Sequence, residues 1–190
     1  MRIAAGRYRG RSIPFPAVGD AVRVTSGMVK GAAFSMIGED LAGYRFLDLC
    51  AGSGQMGLEA CSRGATVTLN EPDGKRRAFI EEQVQHLKAG DGVTVYGRLA
   101  ELLVRALAGK GEVFDFIYVD PPYDAVMDEL PLSTALLSVL GTTDLVSDRG
   151  AVVIQHGKRT TLPESSGCLQ VFRKKKYGDT RLSVFIPARY

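Results

Sequence analysis

The chain has 190 residues, 45% of them hydrophobic and 24% charged, with a net charge of +3. That length and apolar content suit a single α/β unit with an ordinary core and exclude a disordered or fibrous chain. Cys50, Cys61 and Cys168 form no Cys-x-x-Cys pair and His86 and His156 stand apart, so reduced thiols, structural or surface histidines and no metal site are expected.

In chain order, the N-terminus is the first informative segment. Residues 1–30 carry Arg2, Arg7, Arg9, Arg11, Arg23 and Lys30 against Asp20, and residues 157–190 carry eight basic groups against two acids, which leaves 31–156 acidic. Arg7-Tyr8-Arg9-Gly10-Arg11 interleaves guanidinium groups with a ring and glycines, a composition suited to phosphates and unstacked bases. Arg7, Arg9 and Arg11 are therefore candidate RNA contacts. Met1-Arg2-Ile3 leads into arginines rather than a signal-peptide core, and no apolar stretch nears the roughly 18 residues of a membrane span, so a cytoplasmic protein without a membrane partner is expected. Thr25 or Ser26 opens an amphipathic helix carrying Val29, Ala32, Ala33, Met36 and Ile37; it either caps that helix or reaches a bound cofactor.

Phe46-Leu47-Asp48-Leu49 reads as a buried strand, and Cys50-Ala51-Gly52-Ser53-Gly54 as a glycine turn into a helix near Gln55. Gly52 and Gly54 can take positive φ without a Cβ penalty, and the helix start presents unpaired N–H groups to a ligand. The next strand, Val67-Thr68-Leu69-Asn70, ends in Glu71, where a carboxylate can accept both hydroxyls of a ribose. Gly52, Gly54 and Gly57 also satisfy the G-x-G-x-x-G dinucleotide fingerprint. Asp48 weighs against that reading, because a carboxylate repels a pyrophosphate but suits S-adenosylmethionine, which carries a sulfonium and an ammonium group. The favoured cofactor is the methyl donor, with Asp48, Ala51, Gly52, Gly54 and Glu71 as its candidate ligands.

A helix follows over about 73–89 with Ile80, Val84 and Leu87 on one face, then a strand Val93–Tyr96 and a helix through Leu99, Leu103 and Leu107. The strand Phe114–Val119 comes next, then a helix carrying Leu130, Leu136, Leu137 and Leu140, and a strand over 151–154. Segments 170–176 and 182–187 form a hairpin across Tyr177-Gly178-Asp179-Thr180. Apolar strands separated by helices belong to a parallel sheet covered on both faces, with ligands at the carboxyl ends of the strands. Asp48, Glu71, Arg98 and Asp120 all fall at such ends.

Asp120-Pro121-Pro122-Tyr123 narrows the chemistry most. The exocyclic nitrogen of a nucleobase shares its lone pair with the ring and attacks poorly until that sharing is reduced. Two acceptors on its two N–H bonds achieve this, and the Asp120 carboxylate and the Pro121 carbonyl are the candidates. The prolines restrict the backbone around that carbonyl. Tyr123 would stack on the base, worth roughly 1–3 kcal/mol toward the few kcal/mol of unstacking a nucleotide. The plainer alternative is a proline turn after a core strand with Tyr123 as packing.

Together, Met1-Arg2-Ile3, Gly6-Arg7-Tyr8-Arg9-Gly10-Arg11, Thr25-Ser26, the Asp48 and glycine segment, the proline tetrapeptide and Lys175-Lys176-Tyr177-Gly178-Asp179-Thr180 resemble, in order and over nearly the whole chain, the bacterial small-subunit rRNA guanine-N2 methyltransferases. The resemblance implies a Rossmann-like class I methyltransferase fold with a mostly parallel seven-stranded sheet, an antiparallel C-terminal hairpin and a small N-terminal β-hairpin. It implies transfer from S-adenosylmethionine to the 2-amino group of a guanine in 16S rRNA, within a small subunit or an assembly intermediate, by a monomer. Residues 1–24 would dock RNA and 25–190 would form the methyltransferase domain, with Asp120, Pro121 and Tyr123 catalytic and Tyr123 and Lys175 touching RNA. This chain departs from the family at Gly27 and Met28, where an Asp and an Arg are usual, and at Gly97-Arg98-Leu99, where an acid is expected; there the Leu99 N–H is the candidate for adenine, and Arg98 faces either ligand or solvent. The alternatives are another nucleobase amino-methyltransferase, such as an adenine-N6 enzyme, or a non-catalytic RNA-binding assembly protein.

Overall fold

Every strand foreseen from the apolar runs is present in the computed structural model, which describes residues 2–14 and 26–188 and divides into two units, Met1–Leu99 and Ala100–Tyr190. Within each unit the foreseen α/β strands pair in parallel, and the C-terminal hairpin strands pair antiparallel.

In the first unit β1 (Arg45–Asp48), β2 (Thr66–Asn70) and β3 (Val93–Tyr96) pair in parallel in the order β3-β2-β1. Helices α1 (Gly27–Ile37), α2 (Gln55–Ser62) and α3 (Gly74–His86) lie around them in sequence. Ser26 caps α1 by accepting from the Val29 N–H at 3.3 Å, and Asp73 caps α3 by accepting from the N–H groups of Lys75 and Arg76. The foreseen face of α3, Ile80, Val84 and Leu87, is buried.

Helix α2 is buried along its whole length, which is unusual for a surface helix of an α/β unit and has two causes. It sits so close to β2 that a Cβ on Gly57 would fall 2.3 Å from Leu69 Cδ2, the close helix-to-strand approach that only glycine permits. Its C-terminal half is covered by the N-terminal segment. There the N–H groups of Ala4 and Ala5 donate to Glu59, Arg7 N–H donates to the Ser62 carbonyl at 2.8 Å, and Tyr8 N–H donates to Ser62 Oγ. Gly6, at φ 78°, lies where a Cβ would meet the Ser62 carbonyl oxygen at 1.8 Å.

Of the hairpin foreseen over residues 1–24, the described residues 2–14 fold back on themselves, and 15–24 lie outside the described residues. Arg2 and Ser12 make an antiparallel bridge, Ile3 exchanges backbone bonds with Gly10 and Arg11, and Ile3 and Ile13 are each 2% exposed. Beneath it a buried ion pair joins Lys30 Nζ to Glu59 Oε2 at 2.7 Å, and Lys30 also donates to the Arg2 carbonyl. Arg63 completes the cluster around Glu59 at 3.0 Å. A buried carboxylate is tolerable only with such a full set of donors.

In the second unit β4 (Phe114–Val119) pairs in parallel with β7 (Val146–Gly157), and β10 (Thr180–Pro187) pairs antiparallel with both β7 and β9 (Leu169–Tyr177). A two-residue β8 (Ser165–Ser166), not foreseen, adds to β9. Helices α4 (Ala100–Ala108) and α5 (Leu132–Gly141) bury Leu103, Leu107, Leu136, Leu137 and Leu140. Leu130 was expected on the face of α5, but it lies before the helix in a short ribbon, β5 (Val126–Met127) with β6 (Leu130–Pro131), and is 47% exposed. The reason is local. Pro131 holds Leu130 extended, and Asp128 and Glu129, at φ 51° and 65°, make the two-residue turn that closes such a ribbon.

Candidate active site

The first unit brings Asp48, the glycine turn and Glu71 together at the carboxyl ends of β1 and β2. Asp48 ends β1 at 1% exposure, and its Oδ2 accepts from the Gly57 N–H at 3.0 Å. The strand end is thereby tied to the first turn of α2. Gly54, at φ 77°, caps α2 in the left-handed conformation with no side-chain bond, leaving the helix start to other acceptors. Gly52 adopts φ 57°, and a Cβ there would meet nothing within 4 Å, so the turn is open on that side.

Glu71 is 4% exposed and holds this turn from β2. Its Oε2 accepts from the Gly52 N–H at 2.9 Å, while Oε1 accepts from the Asp73 N–H at 3.0 Å and from Arg76 Nε at 3.1 Å. A carboxylate offers about four acceptor sites, so Oε2 retains capacity for a ribose hydroxyl beside the glycine turn.

Asn70 is the residue that sequence reasoning missed. Fully buried, its Nδ2 donates to the Leu49 carbonyl at 3.1 Å and to the Arg98 carbonyl at 2.9 Å, and its Oδ1 accepts from the Arg98 N–H at 3.0 Å. Its own carbonyl accepts from the Ala51 N–H. One side chain therefore fixes the loops after β1 and β3 relative to each other. The available signal was a polar amide at the end of an apolar strand, directly before Glu71. Its bond to the Arg98 N–H also fixes that peptide, while the Arg98 side chain is exposed and Leu99 is 56% exposed.

Gln55, the first residue of α2, is 4% exposed, and its Oε1 has no hydrogen-bond partner among the described residues. An unmet buried acceptor costs roughly 1–3 kcal/mol. Together with the open Gly52 and the remaining capacity of Glu71, it fits a ligand that brings an N–H donor and vicinal hydroxyls. S-adenosylmethionine has both.

The second unit supplies the tetrapeptide. Asp120 follows β4 and is half-buried, Pro121 is buried, and Pro122 is exposed. The turn closes through the Ala125 N–H on the Pro122 carbonyl at 3.1 Å, so its own hydrogen bond does not take up the carbonyl of Pro121. Tyr123 is held from two directions. Its hydroxyl donates to Thr180 Oγ1 at 3.2 Å, and its ring lies on Gly157, where a Cβ would fall 2.7 Å from Cδ2. Upstream, Tyr118 donates to Gln155 Oε1 at 2.6 Å inside the core, which locks β4 to β7. His156, buried beside Gly157, is hydrogen-bonded through Nε2 to Ser183 Oγ at 2.9 Å, and burial holds it below its ordinary value.

The basic candidate RNA contacts are exposed. Arg7, Arg9 and Arg11 stand on the N-terminal turn, with the Arg7 guanidinium 4.6 Å from the Tyr8 ring centroid and 3.4 Å from Cys61 Sγ. Lys30, counted with them by composition, is 3% exposed and belongs to Glu59 instead. Lys175 is exposed on β9. Thr25 lies outside the described residues. Among the described residues no cluster of His, Cys, Asp or Glu could hold a metal ion, and no helix is long and apolar enough to cross a membrane.

The family model described as "Conserved hypothetical protein 95" matches residues 1–186. The chain is 34% identical over 97% of its length, and 98% of the relative's, to a Bacillus subtilis protein named "Putative rRNA methyltransferase YlbH". It is 27% identical over 97% of its length, and 89% of the relative's, to "Ribosomal RNA small subunit methyltransferase D" of Escherichia coli. Among solved structures, "Putative methyltransferase yhhF from Escherichia coli" superposes with a TM-score of 0.81 over 98% of this chain and 97% of that one, at 23% identity, a likeness of fold.

Proposed function

The chain belongs to the family described as conserved hypothetical protein 95, and from that premise we propose that it is an S-adenosylmethionine-dependent rRNA methyltransferase acting on the exocyclic N2 amine of a guanine in 16S rRNA. The observation that carries the reading is the Asp120-Pro121-Pro122-Tyr123 turn at the end of β4, with Tyr123 fastened to Thr180. The names of the full-length relatives support ribosomal RNA of the small subunit as the substrate class.

Asp48, Ala51, Gly52, Gly54 and Glu71 hold the donor, Gln55 adds an acceptor, and the Leu99 N–H serves the adenine. S-adenosylmethionine supplies a methyl group on a sulfonium whose sulfur leaves as a neutral thioether. Asp120 and the Pro121 carbonyl accept the two N–H bonds of the guanine amine, turn its lone pair out of conjugation and orient it for in-line attack. As the new C–N bond forms the nitrogen becomes acidic, and Asp120 or water takes the proton, so no stronger base is needed. Tyr123 stacks on the base from a fixed position.

Residues 1–24 act as the RNA-docking element, with Arg7, Arg9 and Arg11 facing phosphates, and 25–190 as the methyltransferase domain. The enzyme works as a cytoplasmic monomer on a small subunit or an assembly intermediate. Mass-spectrometric mapping of 16S rRNA from cells lacking the gene tests this. The proposal expects one N2-methylguanine to disappear and to return with the wild-type gene; a full set of guanine methylations without the gene contradicts it.

A further inference from the structure

Strand β9 has one partner along its length, β10, and on its other side β8 pairs only with Leu169 and Gln170. Among the described residues, positions 172–177 therefore form an open sheet edge. That edge is basic, with Arg173, Lys174, Lys175 and Lys176 all exposed. The register with β10 shifts between Val184 and Phe185, so that Val184 faces Arg173 while Phe185 faces Val171. Phe172 is the unpaired residue of that bulge, and it stands 61% exposed with the Arg173 guanidinium 5.5 Å from its ring centroid.

Lysines and a bulge on an edge are also the means by which sheets avoid pairing with other sheets. An exposed phenylalanine works against that purpose. A bulge re-aims a side chain, and here it turns outward an aromatic ring flanked by cations. Aromatic faces beside a basic track are the elements that bind single-stranded nucleic acid, the ring taking a base and the cations its phosphates.

The placement gives the edge a direction. Tyr177 pairs with Thr180, the residue that receives the Tyr123 hydroxyl, so the basic run starts beside the tetrapeptide and ends at Phe172. At the rise of a β-strand, the five steps from Tyr177 to Phe172 cover about 17 Å, enough for two or three extended nucleotides.

We propose that the β9 edge is a second RNA-binding surface, in which Lys175 and Lys176 follow the phosphates of the strand flanking the target guanine and Phe172 stacks on a base a few nucleotides away. The inference rests on the rRNA methyltransferase reading and deepens it by naming where the flanking strand runs. Lys174 is partly committed to Glu164, so Lys175 and Lys176 carry the larger share.

The chain has no tryptophan, so Phe172→Trp adds the only one in the protein, and the particles' own emission is subtracted with a wild-type titration. The probe is small ribosomal subunits purified from cells lacking the gene. The F172W protein should keep binding them and its emission should be quenched on binding, whereas Phe172→Ala should weaken binding about 5- to 150-fold, the range of one lost base stack. Lys175→Ala/Lys176→Ala should lower the salt slope of binding by roughly one to one and a half, with donor affinity unchanged in every variant. Wild-type-like binding by F172A and by the double lysine variant, with no quenching in F172W, overturns the proposal while leaving the methyltransferase reading intact if the wild type still methylates the particles. Aggregation of those variants with unaltered binding assigns the edge to protection against sheet pairing and overturns the proposal too. A wild type that neither binds nor methylates the particles removes the reading beneath it.

Discussion

Tyr123 and Thr180 are 57 positions apart in sequence, yet the hydroxyl of one donates to the side-chain oxygen of the other at 3.2 Å. The ring that ends the proline turn is thus anchored to the first residue of β10, and Gly157 provides the bare backbone against which it lies. For the stacking role proposed for Tyr123, such rigid placement lowers the ordering cost of binding a base.

Tyr123→Phe keeps the ring and removes one hydrogen bond, worth about 1 kcal/mol, so kcat/KM should fall only a few-fold. Gly157→Ala should fall further, because its new methyl group must displace the ring. Steady-state kinetics on small subunits checks the order, and a G157A enzyme as active as Y123F contradicts the seating of Tyr123 on Gly157.

Asn70→Ala removes three hydrogen bonds and leaves two carbonyls and an N–H at the loops after β1 and β3. Each buried orphan costs about 1–3 kcal/mol, and water reaching the Arg98 side reduces the total, so a stability loss of about 2–4 kcal/mol in urea unfolding is expected, with weaker donor binding.

Much of this was legible in the sequence, for identifiable reasons. Short apolar runs located β1 to β4, β7, β9 and β10 but not the two-residue strands β5, β6 and β8, and the glycine turn, Glu71 and the proline tetrapeptide stood out because their backbone or charge requirements are local. What was not legible depends on partners far along the chain. Asn70 acts on Leu49 and Arg98, and Lys30 joins Glu59 beneath the N-terminal turn. The placement of Leu130 outside α5 was readable in Pro131 but was outweighed by the leucine spacing.

Glu71→Ala should raise the dissociation constant for S-adenosylmethionine about 10- to 150-fold, the effect of losing a charge-assisted hydrogen bond of roughly 1.5–3 kcal/mol, while kcat at saturating donor changes far less. Calorimetry and kinetics together test it; an unchanged donor affinity would remove Glu71 from the cradle.

Two buried groups should make the fold acid-sensitive. Burial, with Arg181 and Lys174 nearby, holds His156 below its ordinary value of 6.5. Burial would raise Glu59, but the Lys30 hydrogen bond, the Ala4 N–H and the charges of Lys30 and Arg63 outweigh it and hold it below 4.5. In both cases the unfolded chain binds the proton more readily, so the stabilisation is complete above the unfolded value and is lost as pH falls, beginning near 6.5 for His156 and near 4.5 for Glu59. The melting temperature should therefore begin to decline below about pH 6.5, and His156→Gln should flatten that first decline. An equally steep decline in H156Q would assign it elsewhere.

The most direct test of the central claim is methyl transfer by Asp120→Asn, using labelled S-adenosylmethionine and small subunits from cells lacking the gene. Asparagine keeps the size of the side chain but loses the charge proposed to accept from the amine. The account predicts a fall of at least about 100-fold in single-turnover rate, the scale of removing one charge-stabilising group, with donor and particle binding within about two-fold of wild type. Transfer at the wild-type rate by Asp120→Asn and by Asp120→Ala would contradict it.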